Sequence, residues 1–208
     1  RKLTDRPEET AFTALVPDGL GGWYLGTHGH GLVLRYTVTG DRLENLMATG
    51  FEEVRALALH DGQVYIGATN GLSSRFAAGN LEKREGYLSD PGGSARSAIL
   101  RLDRNQVPDA LWQSAQSQVF ALVVWKDQLL VGTGNRSRIF SIPLSDRARD
   151  LDPFAALQDL GTAQATAFLN GGSDLMVVGS NPAELHVLSE SQATEGTLDS
   201  RVLKGNPI

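Results

Sequence analysis

Over 208 residues the formal charge is -5 and no run of Lys or Arg occurs, which argues against a nucleic-acid or anionic-lipid surface as the main business of the chain. The absence of cysteine removes disulfides, thiolate nucleophiles and Cys-ligated metals. No apolar run approaches the roughly 20 residues that a membrane helix needs, and the length suits a single all-β domain.

In chain order, one two-strand unit is written four times. Its first strand reads Phe12-Thr13-Ala14-Leu15, Val54-Arg55-Ala56-Leu57, Val119-Phe120-Ala121-Leu122 and Ala165-Thr166-Ala167-Phe168, with Ala in third place each time. Its second strand reads Trp23-Tyr24-Leu25-Gly26, Val64-Tyr65-Ile66-Gly67, Leu129-Leu130-Val131-Gly132 and Met176-Val177-Val178-Gly179. Turn residues lie between them: Pro17-Asp18-Gly19, Asp61-Gly62, Lys126-Asp127 and Gly171-Gly172-Ser173-Asp174. From the repeated Ala to the repeated Gly the separations are 12, 11, 11 and 12 residues. Apolar and polar residues alternate within each run, so Val54, Ala56 and Ala58 are expected on one face and Arg55, Leu57 and Leu59 on the other. Asp61-Gly62 between two such runs predicts a tight hairpin.

A third strand is expected at Leu32 to Tyr36, Ala98 to Leu102, Arg138 to Ile142 and Glu184 to Leu188. A weaker fourth is expected at Leu43 to Met47, Ala110 to Gln113, within Phe154 to Leu160, and at Gly196 to Leu203. The spacing from Gly to Gly is 41, 65 and 47 residues. The long value reflects an insertion of about 25 residues between the second and third strands of the second unit. Four antiparallel strands recurring every 40 or so residues point to an all-β fold, a β-propeller with four recognisable four-stranded blades, expected to be part of a larger propeller. The blades are 11–50, 51–115 with an insertion at 71–97, 116–160 and 161–204. Residues 1–10 are the outer strand of a preceding blade, and 205–208 are a tail. Small Ala and Gly suit the crowded inner strands, and each blade buries its faces against its neighbours. The alternative architectures are a β-sandwich of hairpins and a self-contained four-bladed ring.

The segment Gly22-Trp23-Tyr24-Leu25-Gly26-Thr27-His28-Gly29-His30-Gly31-Leu32 resembles the repeat of the regulator propellers in extracytoplasmic two-component sensors, and Val64 to Leu72 is similar to it with Ala in place of Thr. Leu130 to Phe140, Val178 to Leu185 and Gly196-Thr197-Leu198-Asp199-Ser200 resemble the repeats of bacterial WD-type propellers, although Ser137 and Ala183 stand where those repeats prefer Gly. The resemblance implies a propeller and carries no catalytic signature.

Alternating strand direction places Thr27 to Gly31, Asn70 to Ser97, Gly134 to Ser137 and Asn181 to Ala183 on one rim. The candidate binding residues there are His28, His30, Asn70, Arg84, Tyr87, Asn135, Arg136 and Asn181. Long loops without secondary structure are functional or disordered, and Ala77-Ala78-Gly79 and Pro91-Gly92-Gly93-Ser94 favour flexibility in the insertion. His28 and His30 are two apart in a glycine-rich turn; with no matching carboxylate or third His evident, they read as exposed turn residues and not as metal ligands. Glu52-Glu53 and Asp146 to Asp152 read as solvated loops, and Arg35 and Arg101 as blade-stacking or solvated residues. No Ser-His-Asp arrangement, phosphate loop or paired carboxylate stands out, so no catalytic residue, cofactor or metal is expected. The reading is of an exported, non-catalytic binding or scaffold module whose rim meets a protein or carbohydrate partner, or the remaining propeller blades. Nucleic acid is not expected as a partner, and membrane contact would be peripheral at most. A polysaccharide lyase or hydrolase, with His28 or His30 beside a carboxylate, is the alternative, as is the ligand-sensing domain of a two-component sensor.

Overall fold

The computed structural model describes residues 8–70, 95–115, 117–134, 137–145 and 155–189; residues 1–7, the core of the insertion, 146–154 and 190–208, with the strand expected at Gly196 to Leu203, lie outside them. Fifteen strands and no helix occur among the described residues. The first sheet holds β1 (Ala11–Pro17), β2 (Gly22–His28), β3 (Leu32–Thr37) and β4 (Arg42–Ala48), each antiparallel to the next. The second holds β5 (Glu53–His60), β6 (Gln63–Thr69), β7 (Ser97–Leu102) and β8 (Pro108–Ser114). The third holds β9 (Val119–Trp125), β10 (Gln128–Thr133), β11 (Arg138–Pro143) and β12 (Ala155–Asp159). The fourth shows β13 (Gln164–Asn170), β14 (Leu175–Ser180) and β15 (Glu184–Leu188). The chain folds as a β-propeller.

Two hairpins close as the sequence asks. Asp61 and Gly62 have φ of 49° and 71°, and Lys126 and Asp127 have 49° and 58°. Positive φ at both central positions is the turn whose twist matches that of paired strands.

One local reading is corrected. The inner strand of every sheet carries a β-bulge, between Phe12 and Ala14, Val54 and Ala56, Val119 and Ala121, and Ala165 and Ala167. The bulge resets the period-two count. Val54 and Ala56 therefore lie on opposite faces, and Val54 shares a face with Leu57. A methyl group built on Gly26 would run into Val54 of the next blade, whereas one built on Gly67 would meet Ala56 of its own sheet and Val119 and Leu122 of the next. In each blade, then, Ala and the Gly opposite it face the following blade, and Val and Leu face the preceding one. The fourth blade departs from this pattern. Ala167 pairs with Val178, while Gly179 is opposite Ala165, one place out of step with the Ala–Gly pairs of the other three blades.

Three apolar cores form between successive blades. Val33 of the first packs with Val54, Ile66 and Leu100 of the second. Tyr65 and Ile99 of the second pack with Val119, Val131, Phe140 and Ile142 of the third. Leu130 and Ile139 of the third pack with Ala165, Leu175 and Val177 of the fourth. The inner strands neighbour one another in the order β1, β5, β9, β13, and among the described residues no comparable contact returns from β13 to β1. The blades form an arc.

The turn before β2 is held by a buried carboxylate. The Asp18 side chain is 2% exposed and sits 2.8 Å from Nη2 of Arg35. It also accepts from the backbone N–H groups of Leu20 and Gly22. Burial alone would push the Asp18 carboxyl up; the Arg35 guanidinium and the two N–H donors outweigh it and hold the group below the ordinary Asp value. A depressed carboxyl contributes stability that is fully present above its unfolded value and is lost as pH falls through the folded one. Asp18→Ala is expected to cost about 2–3 kcal/mol at neutral pH, because Arg35 and two N–H groups lose their acceptor. The difference from wild type should shrink below the ordinary Asp range. Urea melts at neutral and acid pH check both statements. Arg101 is likewise ion-paired within its own blade, 2.8 Å from Asp109.

Candidate functional site

The end of β2, the start of β5 and the end of β6 meet at the rim that carries the connections between blades. His28 ends β2 and pairs with Glu53 at the start of β5, the one ladder contact between the first two sheets. This crossing brings Glu52 to His28, with Nε2 to Oε1 at 3.1 Å. His30 has a carboxylate too. The segment before β1 continues along β2 through Thr10 N–H donating to the His28 carbonyl, and it delivers Glu9. Glu9 Oε1 lies 2.7 Å from His30 Nδ1, and Oε2 accepts from the His30 backbone N–H. The expectation of two imidazoles without a nearby carboxylate is therefore corrected. The partners are 24 and 21 positions away in sequence, and strand pairing alone brings them close. Burial would push the Glu9 carboxyl up, but the Thr27 hydroxyl and the His30 donors hold it below the ordinary Glu value. Each imidazole engages a different carboxylate, and among the described residues no three His, Asp or Glu side chains converge as a metal site.

Asn70 clasps the blades together. Its Oδ1 accepts from Glu52 N–H at 3.0 Å, its Nδ2 donates to the Ala95 carbonyl at 3.2 Å, and its own carbonyl accepts from Gln118 Nε2 at 3.0 Å. Asn181 lies in the turn after β14, with φ of 60°, and its carbonyl accepts from Ala163 N–H. It sits on the same rim, two blades away from His28. Arg84, Tyr87, Asn135 and Arg136 lie outside the described residues. Glu52 and Glu53 are not a solvated loop: their side chains are 24% and 15% exposed, and both are engaged.

Sequence reasoning missed the residues in the bulges. Thr13, Arg55, Phe120 and Thr166 hold the same extra place on the four inner strands. Arg55 is the exposed one: its Nη1 donates to Glu53 at 2.9 Å, and its guanidinium lies 5.3 Å from the centre of the Phe120 ring on the next blade. A cation over an aromatic face is attracted by the ring quadrupole. The signal was available, since the second place of the repeat is the one that varies in polarity while its neighbours stay apolar. His28, Glu52, Glu53, Arg55, Phe120, Asn70 and Gln118 thus form a contiguous network across three blades. Of the tryptophans, Trp23 is 39% exposed, whereas Trp112 packs against Phe140 with ring centres 6.0 Å apart.

No family model and no curated relative matches the sequence. Solved structures do resemble it. The computationally designed Ika4 protein has a TM-score of 0.56 and 17% identity, covering 91% of this chain and 98% of that one. A structural-genomics protein of unknown function from Bacteroides thetaiotaomicron has a TM-score of 0.61 and 8% identity, covering 88% of this chain and 42% of that one. A gluconolactonase-family protein has a TM-score of 0.57 and 16% identity, covering 84% of this chain and 59% of that one. The chain spans 46% of the designed Ika8 protein and 66% of the matched chain in a nidogen/laminin complex. At these identities the likeness establishes the fold, a β-propeller, and nothing about activity.

Proposed function

We propose that this chain is an exported, non-catalytic binding module whose rim takes a protein or carbohydrate partner at the Arg55 platform. The observation that carries this reading is the placement of Arg55. Its guanidinium is half-exposed, oriented by Glu53 and laid over Phe120, beside the His28–Glu52 pair. A planar cation fixed on an aromatic face loses little freedom when it binds, and Arg and aromatic residues dominate binding hot spots for that reason. The platform offers donors and an apolar ring edge, which suit a carboxylate-bearing peptide or an acidic sugar. Capture on glycan arrays and from native extracts, followed by titration of what is captured, tests it. Arg55→Ala is expected to weaken the captured partner about tenfold or more while the thermal melt stays put. Binding indifferent to Arg55→Ala would overturn the assignment.

One observation favours a second reading. His28 oriented by Glu52 has the form of a general base with its orienting group. It would serve a propeller-based polysaccharide lyase or hydrolase. Turnover of acidic or neutral glycans that disappears in His28→Ala would establish this reading in place of the first.

A further inference from the structure

The two ends of the arc expose the two kinds of face that the molecule buries against each other three times internally. On the fourth blade, the side that would face a following blade carries two apolar rows across three strands. Leu169 pairs with Met176 and Met176 with Val187; Ala167 pairs with Val178 and Val178 with Leu185. In this face Leu169, Val178, Leu185 and Val187 are 64%, 39%, 61% and 58% exposed. The matching rows of the second blade, Ala56–Gly67–Ile99 and Ala58–Tyr65–Arg101, lie at its interface with the third, where Tyr65 and Ile99 are fully buried. On the first blade, the side that would face a preceding blade exposes Phe12 at 43% and Leu15 at 60%. Their counterparts on the second and third blades are Val54 with Leu57 and Val119 with Leu122, all packed against the blade before. Apolar surface of this extent, on a sheet whose every equivalent is covered, marks a contact site.

We propose that the exposed face of the fourth blade docks onto the first blade of a second copy of this chain, so that two chains close one ring of eight blades. The occupant follows from continuity with the interfaces already present. Each internal contact joins an Ala-bearing face to a Val/Leu-bearing face, and one chain has one of each left over, at opposite ends. A dimer joining fourth blade to fourth blade would cover one end and leave Phe12 and Leu15 in water. A head-to-tail pair covers both ends twice and closes on a two-fold axis, and eight blades lie within the usual size of a propeller. The new contact differs from the internal ones at one point. Val178 fills the place that Gly26, Gly67 and Gly132 leave open, so the incoming strand stands further off, and the longer Phe12 and Leu15 fill that gap where Val and Leu suffice inside the chain.

Sedimentation equilibrium of the 208-residue chain at micromolar concentration tests this. The wild type is expected at twice the 22.3 kDa chain mass. Leu15→Lys and Leu185→Lys alter exposed residues at opposite ends and should each give a folded monomer, with the circular dichroism melt as the check on folding. Mixing the two variants should restore a dimer, because one of its two contacts then joins two unaltered faces. Complementation of this kind occurs only with a head-to-tail contact. A dimer that survives Leu15→Lys alone would overturn the proposal in favour of a fourth-blade to fourth-blade pair. A ladder of larger species would overturn ring closure. A monodisperse wild-type monomer would overturn the proposal altogether and leave these faces to blades of another chain or of a longer one.

Discussion

Gly26→Ala is expected to destabilise the protein by about 3 kcal/mol, the upper end of what overpacking costs. Two effects compete. Replacing a strand glycine removes freedom from the unfolded chain, which by itself stabilises by about 0.4–1 kcal/mol. Against this, the added methyl would lie 2.8 Å from Val54 Cβ and 3.0 Å from the Val54 carbonyl oxygen. Neither can rotate away: one belongs to a β-branched side chain that is fully buried, the other to the backbone of β5. The first two blades would have to separate along the strands that carry Val33, Val54 and Ile66, so packing wins over entropy. Denaturant midpoints measure the change. A neutral or stabilising Gly26→Ala would mean that β2 and β5 are not in direct contact.

Ile99→Ala is expected to cost about 4 kcal/mol, which lowers the melting temperature by roughly 10 °C for a chain of this size. Ile99 is fully buried in the core between the second and third blades, among Tyr65, Val119 and Phe140. The bulge and the Ala–Gly rows hold the surrounding strands in register, so the cavity cannot collapse without moving a whole blade. Leu185→Ala is the control, since Leu185 is 61% exposed and should cost little in a monomeric background. Equal losses at the two positions would show that the interblade cores do not carry the stability.

The repeat was legible because it is local: Ala and Gly recur at nearly constant separation, and hairpins keep that separation in space. The strands expected at Leu43 to Met47 and Ala110 to Gln113 appear as β4 and β8, a residue or two longer at each end. What could not be read was anything that breaks the period or crosses between strands. A bulge adds one residue without a sequence mark of its own, so alternation placed Val54 and Ala56 together and hid Arg55 at the axial position. The partners of His28 and His30 come from other strands, and neither spacing nor composition links Glu52 or Glu9 to a histidine turn. The fourth repeat has the same Ala-to-Gly separation as the first, yet its short turn slips the pairing by one and puts Val178 opposite Ala167. In the first blade the longer turn held by Asp18 absorbs the extra residue, so Ala14 still meets Gly26.

Cross-linking tests most directly whether the four blades form an open arc. The chain has no cysteine, so a pair introduced at Leu15 and Val178 reports without background. Matching places touch inside the chain: a methyl at Gly67 would lie 3.4 Å from Leu122, and one at Gly132 would lie 3.2 Å from Phe168. A closed four-bladed ring would bring Leu15 and Val178 together in the same way, within disulfide reach. On oxidation of Leu15→Cys/Val178→Cys, the arc predicts that no disulfide forms within one chain and that any link joins two chains. A fast, quantitative disulfide within single chains, unchanged on dilution, would contradict it.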